Sequence, residues 1–210
     1  TTPAQATVTH TGTINAGAVD FAGPAQIATT GHVNADTVEF DMPAQVAGAI
    51  NAPSVEISPN AALSLSGNGR LSSATTLEDD GTFDISGAAG SVSIGALNGG
   101  GIIALGSNNL TLTQASGGPN DVSDGSAFFG SITDGGIAGG VGGRLTVQSG
   151  NLMLFRDNTY TGPPLTANGG PLTLIDDNIP TSRSGTDTGT FDISSSIAAP
   201  TAAPYCNPTR

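Results

Sequence analysis

Lysine and tryptophan are missing from this chain of 210 residues, and it has one cysteine and two tyrosines. Each shortage excludes something. Without lysine, the only basic side chains are Arg70, Arg144, Arg156, Arg183 and Arg210, set against 17 acidic residues for a net charge of −12. Nucleic acid and anionic lipid head groups are bound through clustered Lys and Arg, so neither is an expected partner. Without Trp, and with so little Tyr, no aromatic stacking platform is available. The lone Cys206 excludes an internal disulfide framework and a multi-cysteine metal site. It reads as an incidental free thiol, as one half of an interchain bond, or as the partner of a cysteine outside these residues. No apolar run approaches the ~20 residues of a membrane span, so this segment is not expected to insert. No signal peptide is visible, so a secreted protein would have lost its signal, or these residues are an internal slice.

What the chain does contain is Gly, Thr, Ser, Asn and Asp spaced between recurrent Val, Ile, Leu and Phe, and part of it repeats. Three segments align without gaps: Gly12-Thr13-Ile14-Asn15-Ala16-Gly17-Ala18-Val19-Asp20-Phe21, Gly31-His32-Val33-Asn34-Ala35-Asp36-Thr37-Val38-Glu39-Phe40 and Gly48-Ala49-Ile50-Asn51-Ala52-Pro53-Ser54-Val55-Glu56-Ile57. Their spacings are 19 and 17 residues. A Pro-Ala-Gln element accompanies them at Pro3, Pro24 and Pro43. The triplets Val19-Asp20-Phe21, Val38-Glu39-Phe40 and Val55-Glu56-Ile57 alternate apolar, acidic, apolar, the period of a strand with one face buried. Gly, Pro, Asn and Thr interrupt every helical window. A unit this short cannot close its own core, but stacked units share one at about 4.8 Å per rung. Stacking places Asn15, Asn34 and Asn51 above one another. They are there either to bond amide to amide or to tolerate left-handed turn geometry.

Further alternating triplets continue the pattern at Leu63, Phe83, Val92, Leu110, Leu145, Leu152 and Leu172, and Gly81-Thr82-Phe83-Asp84-Ile85-Ser86 recurs at 189–194. Residues 114–127 and 134–144 are longer Gly-rich loops expected to protrude. The expected core is aliphatic: Val19, Phe21, Val38, Phe40, Val55, Ile57, Phe83, Ile85, Leu110, Leu112, Leu152 and Leu154 inside, with Asp20, Glu39 and Glu56 outside.

Residues 87–175 carry a more specific pattern. Ile94-Gly95-Ala96-Leu97-Asn98-Gly99-Gly100-Gly101-Ile102-Ile103-Ala104-Leu105-Gly106 is followed by Asn109-Leu110-Thr111-Leu112 and Phe129-Gly130-Ser131-Ile132. Leu152-Met153-Leu154 then leads to Asn158-Thr159-Tyr160-Thr161-Gly162. This block resembles the passenger-associated repeat of Gram-negative autotransporters, and departs from it at Phe155-Arg156-Asp157 and Pro163-Pro164. The resemblance implies a right-handed parallel β-helix, secretion through the outer membrane, and display at the cell surface. It implies no single activity, because family members include adhesins, aggregation factors, proteases and esterases.

Candidate chemistry is thin. His32 shares its repeat position with Thr13 and Ala49, and a slot that accepts all three reads as solvent-facing. Neither His10 nor His32 is assigned a catalytic or metal role. No Gly-x-Ser-x-Gly elbow is present. Glu78-Asp79-Asp80 and Asp176-Asp177 are the densest carboxylates, but glycan-cleaving β-helices also need bases and aromatic platforms, so both groups read as solvated turns. Calcium is the best ionic candidate, through Asp121 and Asp124 in Asp121-Val122-Ser123-Asp124-Gly125, although the EF-hand spacing is absent. At Gly139-Gly140-Val141-Gly142-Gly143-Arg144-Leu145, Arg144 stands where a calcium nonapeptide places its Asp.

The resulting expectation is an all-β parallel β-helix over 1–194, with regular repeats over 1–66, the passenger-like region over 87–175, and a Pro/Ala/Ser-rich tail over 195–210. Its expected role is adhesive and structural, not enzymatic. Its expected location is extracellular, at a bacterial cell surface, with host or sister-cell ligands as partners and calcium as the only cofactor considered. An extracellular filament made by end-to-end stacking is the alternative, because no capping sequence precedes the first repeat. A glycan-active β-helix enzyme ranks third.

Overall fold

The computed structural model describes residues 8–114, 126–149, 152–156, 158–162, 166–167 and 172–174. Short strands follow one another around a coil. They begin with β1 (Val8–His10), β2 (Thr13–Asn15), β3 (Ala18–Phe21), β4 (Ala25–Ile27), β5 (His32–Asn34), β6 (Thr37–Phe40), β7 (Ala44–Val46), β8 (Ala49–Asn51) and β9 (Ser54–Ile57). The chain continues through β10 (Ala62–Gly67), β11 (Arg70–Leu71), β12 (Thr76–Asp79), β13 (Thr82–Ala88), β14 (Val92–Ile94), β15 (Ala96–Asn98), β16 (Ile102–Ala104) and β17 (Asn109–Leu112). The last described strands are β18 (Ser126–Phe128), β19 (Ser131–Thr133), β20 (Arg144–Val147), β21 (Leu152–Leu154), β22 (Thr166–Ala167) and β23 (Leu172–Leu174).

Every third strand stacks on the last, and the pairings are parallel. The first face is one sheet of seven strands, β1-β4-β7-β10-β13-β16-β19. The second face runs β2-β5-β8-β11 and then breaks, and a separate ladder β14-β17-β20-β22 follows. The third face is β3-β6-β9-β12-β15, and a bridge from Gly99 to Phe128 hands it on to β18-β21-β23. The chain is therefore an all-β parallel solenoid, and among the described residues it has no helix.

The aligned sequence blocks fall into register as the repeat predicts. Val19 pairs Val38, Val38 pairs Val55, and Val55 pairs Leu77, so each rung places an apolar side chain over the last. Ile14, Val33, Ile50 and Leu71 form the matching column of the second face. Ala44, Leu63, Phe83, Ile103 and Ile132 do so on the first. These columns merge into one core running the length of the solenoid. Of the expected core, Val38, Phe40, Val55, Ile57, Phe83, Ile85, Leu110, Leu112, Leu152 and Leu154 are buried, each burial worth about 1.5–3 kcal/mol. Val19 and Phe21, on the outermost described rung, are only partly covered, and Phe21 stacks on Phe40 at 5.0 Å.

Glycine marks a corner for a steric reason. A side chain on Gly48 would collide with the carbonyl oxygens of Gly31 and Ala28 on the coil beneath, so successive corners nest only if one of them lacks a Cβ.

The repeated asparagines are paired to each other. Asn34 Nδ2 donates to Asn15 Oδ1 at 2.7 Å, and Asn51 Nδ2 donates to Asn34 Oδ1 at 2.8 Å. All three sit in strands, and the only described non-glycine residue with positive φ is Asn60. The amide stack, not left-handed turn geometry, explains them.

Candidate functional site

The most elaborate surface feature is the Gly-rich segment 134–143 between β19 and β20. Its glycines 135, 136, 139, 140 and 142 have positive φ, which lets the chain turn several times in ten residues. Its ends are held by Asp134. The carboxylate accepts from the amides of Gly142 (3.1 Å), Gly143 (2.9 Å) and Thr161 (3.0 Å), and from the Thr161 hydroxyl (2.5 Å). Burial opposes ionisation of Asp134, but these donors outweigh it and hold its pKa below the usual carboxylate value.

The middle of the segment folds back along the first face and reaches β13. The Ile137 amide donates to Asp84 Oδ2 at 2.6 Å, and the Ala138 amide donates to Ser86 Oγ at 3.0 Å. Asp84 is outward in the strand alternation, yet only 3% exposed, because this loop covers it. Gly136 lies so close that an added Cβ would fall 2.5 Å from both Asp84 Oδ1 and Ser86 Oγ. Pinned this way, the loop presents Ile137 (81% exposed) and Val141 (74% exposed) to solvent. The loop expected over 134–144 stops at Gly143, because Arg144 opens β20, and of the loop expected over 114–127 Ser126 and Ala127 belong to β18 while 115–125 lie outside the described residues. Composition marks the 134–143 loop, but its clamp joins residues 27 and 53 positions apart. The only local signal is Asp134 followed by two glycines.

The Asn158–Gly162 string is part of the same construction. Asn158 Oδ1 accepts from the Ile132 amide at 2.8 Å, Tyr160 enters the core, Thr161 caps Asp134, and the Gly162 amide bonds the Gly143 carbonyl at 3.0 Å. Phe155 stacks on the half-exposed Phe129 at 4.2 Å.

A second feature is electrostatic. Asp20, Glu39, Glu56 and Glu78 lie in register on the outside of the third face. Repulsion from Asp41 and then Glu56 raises the pKa of Glu39, and burial followed by repulsion from Asp80 raises that of Glu78.

Two expectations are overturned. Glu78-Asp79-Asp80 is not a solvated turn. Strand alternation continues through it and turns Asp79 into the core, fully buried, while Asp80 stays exposed. The slot shared by Thr13, His32 and Ala49 is not uniformly open either. Ala49 is fully buried, being the short member of a column flanked by His32 and Arg70. His10 points inward with Nε2 buried and unpartnered. Asp121, Asp124, Asp176, Asp177 and Cys206 lie outside the described residues. Among the described residues no three His, Cys, Asp or Glu side chains gather as a metal site would require.

No family model, no curated protein and no solved structure matches the chain.

Proposed function

We propose that this chain is an adhesive segment of an extracellular, cell-surface solenoid, with the pinned loop 134–143 as its contact point. The observation that carries the reading is the pairing of rigidity with exposure. Asp84, Ser86 and Asp134 fix a glycine-rich loop that would otherwise be mobile, and the loop holds Ile137 and Val141 in water. A preorganised loop loses little conformational entropy on binding, and covering two exposed aliphatic side chains is favourable. The passenger-like sequence over 87–175 supports the same reading, since it includes this loop and the Thr161 that clamps it. The solenoid beneath serves as a stiff spacer.

The test is attachment of beads coated with the chain to bacterial and epithelial cells. Ile137→Ser combined with Val141→Ser is expected to reduce attachment several-fold while leaving the melting temperature unchanged. Equal attachment by the double variant refutes the loop as the contact.

A further inference from the structure

The three faces of the solenoid differ in charge. On the third face, strands β3, β6, β9 and β12 each carry an acid. On the second face, β2, β5, β8, β11, β14, β17 and β20 carry none, and two arginines, Arg70 and Arg144, lie there instead. An anion repelled by the molecule as a whole therefore meets no carboxylate on the described strands of this face.

That side also contains the break in its sheet. Strands β10 and β13 run on after a bulge, pairing Ser66 with Gly87 and Gly67 with Ala88. Beyond them no pairing joins β11 to β14. Backbone alternation shows what the gap leaves unsatisfied. The amides of Arg70 and Ser72 are engaged downward, by the carbonyls of Gly48 (3.0 Å) and Ile50 (2.9 Å). The N–H and C=O of Leu71 therefore point the other way, into the gap. From above, the Ile94 carbonyl is engaged upward by the Thr113 amide at 2.9 Å, so the N–H and C=O of Ser93 point down into it.

The result is an open groove of about 760 Å³. Its lining includes Asn51, Arg70, Ser72, Ser91 and Ser93, with the Leu71 backbone at its edge. The Arg70 side chain is exposed and makes no ion pair or hydrogen bond. The amide stack ends here too: Asn51 donates to Asn34 but receives nothing, so its Oδ1 is an unengaged acceptor at the groove.

We propose that this groove binds a carboxylated saccharide. The guanidinium fork of Arg70 matches one carboxylate through two parallel charge-assisted bonds. The seryl hydroxyls, the Asn51 carbonyl and the free peptide groups of Leu71 and Ser93 supply the mixed donors and acceptors that vicinal hydroxyls require. A single cation suits a ligand with one negative charge per sugar better than a densely charged polyanion. The groove shares no lining residue with the 134–143 loop.

The test is a titration of the isotope-labelled chain with glucuronate, followed by amide chemical shifts, with glucose and acetate as controls. Glucuronate is expected to shift the Leu71 and Ser93 amides, with a dissociation constant in about the millimolar range. Glucose and acetate should each bind about tenfold more weakly, as should glucuronate to Arg70→Gln, whose melting temperature should be unchanged. Absent shifts at Leu71 and Ser93, or equal affinity for Arg70→Gln, would overturn the site. Acetate binding as tightly as glucuronate would overturn the saccharide and leave a simple anion site.

Discussion

Asp79 pairs in register with Ile57 on the rung below, so that a carboxylic acid occupies the inward position that Ile57 and Phe40 fill before it. Its Oδ1 accepts from the Gly81 amide at 3.2 Å, while Oδ2 is buried with no partner. Above it stands Gly99, whose φ of 100° and missing side chain leave room where a Cβ would strike the Asp79 backbone. Burial pushes the Asp79 pKa up to about 7. The folded chain thus holds a proton that the unfolded chain releases near the ordinary value of 3.8. The associated stability is full below that value and is lost as pH rises towards about 7, with a ceiling of about 4 kcal/mol. Urea unfolding at several pH values should show this decline, and Asp79→Asn should flatten it and raise stability at neutral pH. An unchanged slope in the variant would show that Asp79 is not its source.

The carboxylate row on the third face sets a contrast between neighbours. Glu39→Gln removes a repelled charge and should be neutral or slightly stabilising, more so at low salt. Val38→Asp places a charge in a position with 1% exposure and should cost about 3–5 kcal/mol. Equal shifts in melting temperature for the two variants would mean that the facing of β6 is wrong.

In the amide stack, Asn34 is both donor and acceptor, so its loss removes both bonds at once. Asn34→Ala should cost about 1–2 kcal/mol, and Asn15→Ala, which breaks a single bond, about half of that. Denaturant midpoints of the two variants compare them directly. Equal costs would mean that the bonds do not act as a chain.

Asp134 has the opposite pH signature to Asp79. Its pKa is depressed, so the loop clamp is strong above the ordinary carboxylate range and is lost as pH falls through the folded value. Asp134→Ala should remove hydrogen-exchange protection from the Gly142, Gly143 and Thr161 amides, and Asp134→Asn should retain part of it. Protection within β13 should survive both changes. Unaltered exchange at Gly142 and Gly143 would refute the clamp.

The repeated rungs were legible because one short pattern reports both strand facing and register. The aligned Val, Phe and Asn positions of 12–57 stack as their spacing predicts. Asp79 was misread because an acid beside two other acids looks like a turn, and only the continued alternation of β12 turns it inward. The Asp84–Ile137 and Asp134–Thr161 contacts were illegible for another reason. They join distant parts of the chain through backbone amides, which leave no trace in residue identity. The groove beside Arg70 was hidden likewise, since it depends on a bulge and on the pairing that β11 and β14 do not make.

The fold-back of residues 137 and 138 onto β13 has a mechanical consequence. Pulled along its axis, a solenoid parts one ladder at a time, because the bonds between coils lie along the line of force and the end rung carries the load. The loop leaves from β19 and fastens to β13, with β16 between them. Tension arriving there is shared by two ladders and the strap together, so the peel is arrested until all three yield. A single-molecule extension trace should rise at this point to its highest plateau, and cutting the strap with Asp84→Ala should turn that rise into an even, featureless unzipping.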